Sequence, residues 1–381
     1  MIVLYIPRLA ILASLGLAAI NLQSQTFNTV HYNEASGFAV GHSVRENADG
    51  FLVFGHQTQL DTTTQDCTVS KFDESGHLVS ENFLNWPRYE FYGLADPIST
   101  ISASSGFIAG IATFLGPFPT ATAYAARFDY NGDTTWTKPL LTDSFITMRK
   151  AVYSNDKFYF CGLQASGVLI PNSTYVIQTD TLGNIENTTL YGAIEPYNMD
   201  VDETGNRLIC GVRNNQGYLL KTDTVGAGIW NQFQPKPRGL WYNVKHMSGN
   251  RILCMGGWTD SHFPLADTTT MYLSMYDGNG NMLWDFVGLK NKGGTNWAYF
   301  TDGYQDTDST FIVTGAIQQL YWNRAVIYRF TLDGEVIWRR DYAHFANFAS
   351  IYPEIPRDIE PTSDGGMVFT GDTWNADTVP P

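Results

Sequence analysis

Tyr272–Trp284 reads YLSMYDGNGNMLW. Alternating apolar residues run into Asp277-Gly278-Asn279-Gly280, and a second apolar run ends in Trp284. That is the composition of two antiparallel strands around a tight turn. Outward from it, the same apolar-(Asp/Thr)-x-x-Gly signature recurs at Phe72-Asp73 to Gly76, Phe128-Asp129 to Gly132, Thr179-Asp180 to Gly183, Thr222-Asp223 to Gly226 and Phe330-Thr331 to Gly334. In four of the six copies a Trp lies four residues past the Gly: Trp136, Trp230, Trp284 and Trp338.

Each hairpin follows a second signature, a turn residue and an apolar strand closed by Gly, as in Asp49 to Gly55 and Asp308 to Gly315. There are seven of these, ending at Gly55, Gly110, Gly162, Gly211, Gly256, Gly315 and Gly371, at spacings of 55, 52, 49, 45, 59 and 56 residues. A repeat near 50 residues with three or four short strands and no helical pattern is a propeller blade. The expected fold is therefore all-β: a seven-bladed β-propeller with the last blade incomplete, or a six-bladed ring as the alternative. The blades fall at about 42–92, 98–145, 148–192, 197–235, 241–290, 297–345 and 355–381. The seventh copy stops at Trp374 to Pro381, where a loop should lead into its outer hairpin. Residues 26–32, TFNTVHY, alternate as a strand and are expected to close the ring as the outermost strand of the last blade.

The chain has 381 residues, 14% aromatic and 16% charged, so burial must rest on many aromatic rings. Net charge is −14 with 23 Lys and Arg scattered along the chain, which leaves no surface for neutralising phosphates and excludes nucleic acid as a partner. At the N-terminus, Arg8 precedes a short apolar run, Leu9 to Ile20, and then polar residues to Gln25. Residues 1–25 thus read as an export signal cleaved near Ser24 or Gln25, although Ile2 to Ile6 place apolar residues ahead of the basic one. No later run is long enough for a transmembrane helix. Cys161, Cys210 and Cys254 hold matching places before the closing Gly of successive repeats, too far apart for bridges, and read as buried thiols with Cys67 unpaired.

The combination of an inner strand, Asp-Gly-(Gly/Phe), a Gly-closed strand and an Asp-x-x-Gly hairpin before Trp resembles the repetitive propeller ectodomains of Bacteroidetes secreted proteins. Asp364-Gly365-Gly366-Met367 and Asn47 to Phe51 carry the match, which covers about residues 26–381. The resemblance implies export through the type IX (Por) system by a C-terminal sorting domain, which this stretch of chain does not contain. It implies a secreted or cell-surface bacterial protein, with the periplasm as the alternative, and nothing about activity.

The turns are the first place to look for chemistry. Asp129-Tyr130-Asn131-Gly132-Asp133 and Asp277 to Asn281 are the nearest approach to a calcium loop, but neither supplies the spaced ligands ending in a bidentate acid. They read as capped turns, and no metal or cofactor is expected. The Trp spacing misses the sialidase Asp box and is closer to quinoprotein dehydrogenase blades, where such Trp residues dock one blade on the next. Docking is the reading for Trp136, Trp230, Trp284 and Trp338. The seven His residues form no ligand spacing, and no Gly-x-Ser-x-Gly elbow, Walker loop or dinucleotide fingerprint occurs.

The tight turns lie on one face of the disc and the long loops on the other, where aromatic residues gather. Phe118, Trp258, His262, Trp322 and Trp374 are the candidate ligand-binding residues, since rings on loops held by a rigid scaffold suit sugars or protein partners. They could equally fold inward and cap the blades. The expected function is a non-catalytic binding scaffold for a protein or glycan. The rival is a polysaccharide-cleaving enzyme whose acids come from separate blades. Convergent carboxylates in a central pocket would favour the rival, and a flat aromatic surface the binder.

Overall fold

The structure is a computed structural model and describes residues 2–6, 27–30, 36–59, 65–84, 99–103, 106–115, 120–165, 173–192, 194–236, 238–259, 268–292, 298–319, 322–342 and 355–373. Every regular element among them is a strand. The chain opens with β1 (Ile2–Ile6) and β2 (Phe27–Val30) and then lays down the blades in order. The first is β3 (Ser36–Asn47), β4 (Gly50–Gln59), β5 (Gln65–Asp73) and β6 (Leu78–Phe83). The second is β7 (Ser99–Ala103), β8 (Gly106–Leu115), β9 (Thr120–Phe128) and β10 (Thr134–Asp143). The third is β11 (Phe145–Ser154), β12 (Lys157–Ala165), β13 (Ser173–Thr179) and β14 (Ile185–Gly192). The fourth is β15 (Glu195–Val201), β16 (Arg207–Arg213), β17 (Gln216–Thr222) and β18 (Gly228–Phe233). The fifth is β19 (Gly239–Met247), β20 (Arg251–Thr259), β21 (Thr268–Asp277) and β22 (Met282–Lys292). The sixth is β23 (Ala298–Thr307), β24 (Thr310–Gln319), β25 (Trp322–Thr331) and β26 (Val336–Tyr342), and β27 (Ile355–Pro361) and β28 (Met367–Thr373) begin the last.

Five blades are separate four-stranded antiparallel sheets, and the sixth sheet has eight strands, in the order β2-β1-β28-β3-β4-β5-β6 with β27 on β28. That sheet holds two blades, joined where Asp372 meets Val40 and Thr373 meets Ala39. Six blades are therefore each one continuous stretch of chain, and the seventh is assembled from both ends. The inner strands β3, β7, β11, β15, β19, β23 and β27 neighbour one another in that order, and β27 returns to β3. The molecule is a closed β-propeller.

Phe27–Val30 is the outermost strand of the last blade, but it reaches β28 through an intermediary. Ile2–Ile6, inside the stretch read as a leader, pairs antiparallel with β28 from Ile2 opposite Gly371 to Ile6 opposite Met367. β2 then pairs with β1, from Ile2 opposite Val30 to Tyr5 opposite Phe27. Apolar and β-branched residues suit such a position, and the inserted strand covers an edge that would otherwise stand open.

The hairpin turns are built alike. In the fifth blade the Asp277 carboxylate accepts hydrogen bonds from the backbone N–H groups of Asn279 (2.9 Å) and Asn281 (2.8 Å), and Gly280 turns the chain at φ +85°. At Thr331 the hydroxyl takes the same part, accepting from Glu335 N–H at 3.1 Å. These side chains cap their own turns. A Trp of one blade lies on the turn glycine of the next: Trp136 against Gly183, Trp230 against Gly280 and Trp284 against Gly334. The Trp230 indole N–H donates to Gly278 O at 3.0 Å and that of Trp284 to Leu332 O at 2.9 Å. Trp338 packs with Ile359, Met367 and Phe369 of the last blade. All four cysteines are buried free thiols.

Candidate functional site

Six of the seven inner strands carry a β-bulge at the same place, opposite the closing glycine of the neighbouring strand. The register shifts between Gly41 and Ser43, Met148 and Lys150, Pro196 and Asn198, Trp241 and Asn243, Phe300 and Asp302, and Pro356 and Asp358. The glycine is what permits it. A Cβ at Gly55 would lie 2.1 Å from Val40 O, one at Gly162 1.9 Å from Thr147 O, one at Gly211 2.0 Å from Glu195 O, and one at Gly256 1.9 Å from Leu240 O. A bulge opposes two residues to one and re-aims their side chains.

Here it turns them to the axis. The bulged residue and its successor are His42-Ser43, Arg149-Lys150, Tyr197-Asn198, Tyr242-Asn243, Thr301-Asp302 and Arg357-Asp358. All of these except Asp302, together with Tyr299, line one cavity of about 80 Å³ where the inner strands converge. The wall holds three tyrosines in sequence: Tyr197 and Tyr242 meet edge to face at 5.3 Å, and Tyr242 and Tyr299 lie 4.5 Å apart at 30°. The Arg149 guanidinium sits 5.2 Å over the Tyr197 ring and 3.6 Å from Glu195. Burial and the Glu195 carboxylate push the Tyr197 phenol up to about 12.

Three residues beyond the bulge, the same strands supply a second charged layer with Arg45, Asp200, Lys245 and Glu360. The Asp358 carboxylate, 4% exposed, accepts from Arg45 Nη1 at 2.7 Å, Ser43 Oγ at 3.0 Å and Val44 N–H at 3.0 Å. Arg45 also reaches Glu360 at 2.7 Å. Asp302, 1% exposed, is 3.3 Å from Lys245 Nζ and accepts from Asn243 Nδ2 at 2.6 Å and Ile359 N–H at 3.2 Å. Asp302 and Asp358 are near enough for each carboxyl to act on the ionisation of the other.

Two carboxyls so placed cannot both ionise with ease. Burial works to raise both, and for Asp358 the charges of Arg45 and Lys150 more than offset it, so its carboxyl is held well below the usual range. Burial pushes Asp302 and Glu360 up. Lys150, half-exposed to the cavity, is pushed down by burial and then by Lys245. His246 closes the cluster on the fourth-blade side, with its backbone N–H on Asp200 at 2.6 Å.

Of the loop residues read from the sequence, Trp258 is the one whose side chain is described, and it lies outside this wall. Trp258 is on β20, opposite Gly239 and Thr270, and packs half-buried on the cluster of Trp241 and Tyr272. Its indole N–H is buried and meets no acceptor among the described residues. Trp322 opens β25 opposite Gln319, and its side chain lies outside the described residues, as do Phe118, His262 and Trp374 altogether. The bulge residues were missed because they are polar residues in an apolar strand and look like strand ends. A signal did exist: the second residue of each pair stands twelve or thirteen positions before the closing glycine in all six blades.

No family model matches the chain, and no curated protein matches it. Among solved structures it is similar to the Dos1 propeller, at 11% identity and TM-score 0.47 over 89% of this chain and 80% of that one. It is similar to the β-propeller domain of the Trilobed protease from Pyrococcus furiosus, at 11% identity and TM-score 0.45 over 89% and 96% of the two chains. It is also similar to Trypanosoma rangeli sialidase in complex with the inhibitor DANA, at 9% identity and TM-score 0.46 over 92% of this chain and 56% of that one. The likeness is one of fold.

Proposed function

We propose that this chain is an exported, non-catalytic β-propeller that binds a glycan or protein ligand at the axial cavity. One observation carries the reading: the cavity wall is mostly cations, tyrosines, carboxamides and hydroxyls with one carboxylate, Asp358, and that carboxylate and those behind it are each held in ion pairs and hydrogen bonds. Asp358 has three donors on one oxygen, and Asp302 stands outside the wall. A carboxyl so held is poorly placed to exchange a proton with a ligand. Aromatic faces beside polar side chains on a rigid ring are the material of recognition. The apolar segment near the N-terminus supports export, to the cell surface or beyond.

A hydrolytic reading has one observation in its favour: two adjoining carboxyls, one ionised and one pushed up, are the arrangement of an acid and a base. The two readings separate in one experiment. The protein is screened against immobilised polysaccharides and glycans, and every bound polymer is incubated with it and assayed for new reducing ends. Binding lost in Tyr242→Ala, with no reducing ends released, supports the scaffold. Release of reducing ends that disappears in Asp358→Asn sinks it and establishes the enzyme.

A further inference from the structure

Lys150 is held unlike the other lysines of this protein. The chain has nine. Every other described lysine that is at least part-buried has an oxygen partner, as Lys71 has Asp49 at 3.3 Å, Lys236 has Asp285 at 3.5 Å and Lys245 has Asp302 at 3.3 Å. Lys150 is half-buried on the wall of the axial cavity, and among the described residues its ammonium has neither an ion pair nor a hydrogen bond.

The surroundings act on it at longer range and in both directions. Burial disfavours the charged form, and Lys245 and Arg45 add like charge. Asp302 and Asp358 pull the other way, and burial outweighs them, so the amine is pushed down. A desolvated lysine beside other cations, with no oxygen fixed to its nitrogen, is the form of lysine that attacks carbonyl carbon.

The cavity suits a short polar electrophile. A space of about 80 Å³ admits a chain of about two or three carbons in place of a few waters. Around Lys150 the wall supplies His42, Ser43, Asn198, Thr301 and Arg357, which match hydroxyl groups better than an alkyl chain.

We propose that Lys150 captures a small hydroxyaldehyde, free or as the open-chain end of a reducing sugar, as an imine in the axial cavity. The lone pair of the neutral amine forms a bond to the carbonyl carbon as the carbonyl π bond breaks, and a proton passes from nitrogen to oxygen to give a carbinolamine. Uptake of one proton and loss of water leave the iminium. Counted from the ammonium, the proton released first is the one taken back, so the site carries one positive charge before and after. No oxidant, reductant or second substrate enters. Asp358, held ionised by Arg45, has a cation near it at both ends of the step. Capture is stoichiometric, and it stands or falls independently of the binding reading.

The whole protein is incubated near pH 7 with glycolaldehyde or with cellobiose, each with cyanoborohydride, which reduces the iminium to a stable secondary amine. Peptide mass mapping then follows the labelling of each lysine with time. Lys150 is expected to label at least about tenfold faster than the exposed Lys290, the gain in neutral amine that accompanies a lowered pKa, with the gap closing at alkaline pH. Preference with both reagents supports capture and identifies the reducing end of a sugar as a source. Preference with glycolaldehyde alone supports capture and restricts it to free aldehydes. Labelling of Lys150 no faster than that of Lys290 overturns the proposal. A preference that survives in urea overturns it as well, since it would then come from the adjoining Arg149 and not from the cavity. Lys150→Arg is expected to remove the fast label at an unchanged melting temperature, and because the deciding rates come from the wild-type chain, a variant that fails to fold leaves the test intact. Glycan binding measured without cyanoborohydride reports on the scaffold separately, so either reading can fail alone.

Discussion

Asp358→Asn takes the charge from the most heavily used carboxylate on the axis, and its cost can be set against that of its neighbour. Breaking a buried ion pair by removing one partner costs about 3–5 kcal/mol. Here Arg45 retains Glu360 at 2.7 Å, and an asparagine oxygen can still accept from Ser43 Oγ and Val44 N–H, so the expected loss falls to about 2–4 kcal/mol. Asp302→Asn is different. Asp302 is the member pushed up, so its carboxyl already resembles a neutral donor toward Asp358, and a carboxamide can donate there while accepting from Ile359 N–H. Its remaining losses are the Lys245 contact at 3.3 Å and the hydrogen bond from Asn243 Nδ2, which an amide nitrogen cannot accept, together about 1–2 kcal/mol. Urea unfolding followed by tryptophan fluorescence, with equal slopes required for comparison, measures both. A cost for Asp358→Asn below about 0.5 kcal/mol, or a larger cost for Asp302→Asn, would refute the assignment of ionised and neutral partners.

The same assignment predicts a pH profile. Unfolded Asp and Glu titrate near pH 4, so Asp302 and Glu360, raised when folded, make the native state take up protons first, and stability should rise as pH falls from 7 toward about 4. Asp358, depressed, contributes stability present above about pH 4 and lost as pH falls through its folded value; a midpoint that only declines from pH 7 downward would contradict this. Gly334→Ala should cost more than Gly249→Ala. Both have positive φ, worth about 1–2 kcal/mol for an L-residue, but a Cβ at Gly334 meets the Trp284 ring at 2.9 Å and one at Gly249 meets nothing within 4 Å, so equal costs in urea would remove blade docking from the account. A chain starting at residue 26 lacks β1 and its pairing along β28, and should unfold at a lower temperature than the full chain; an unchanged midpoint would mean that the last blade closes without it.

Local chemistry made the repeat legible. Asp-x-x-Gly turns, Gly-closed strands and Trp four residues past the turn each satisfy a short-range demand for positive φ, a capped N–H or an aromatic on a pleated surface, so they recur wherever a blade does. From them came the all-β propeller and the outer place of Phe27–Val30. What Ile2–Ile6 pairs with was not legible, because five apolar residues read alike as a strand or as the start of a leader, and only long-range pairing with Met367–Gly371 places them. The axial cavity lay in the same blind spot. A closing glycine reads as a strand end, yet what it permits is the carbonyl of a bulge on a neighbouring strand, and that bulge turns Lys150, Asn243 and Asp358 inward from three different blades. The sequence by itself determined the blade, because each blade is stabilised by contacts within about 50 residues. Only the tertiary structure decided which residues meet at the axis, because closing the ring brings together side chains as far apart as Ser43 and Asp358, and no local preference records that encounter.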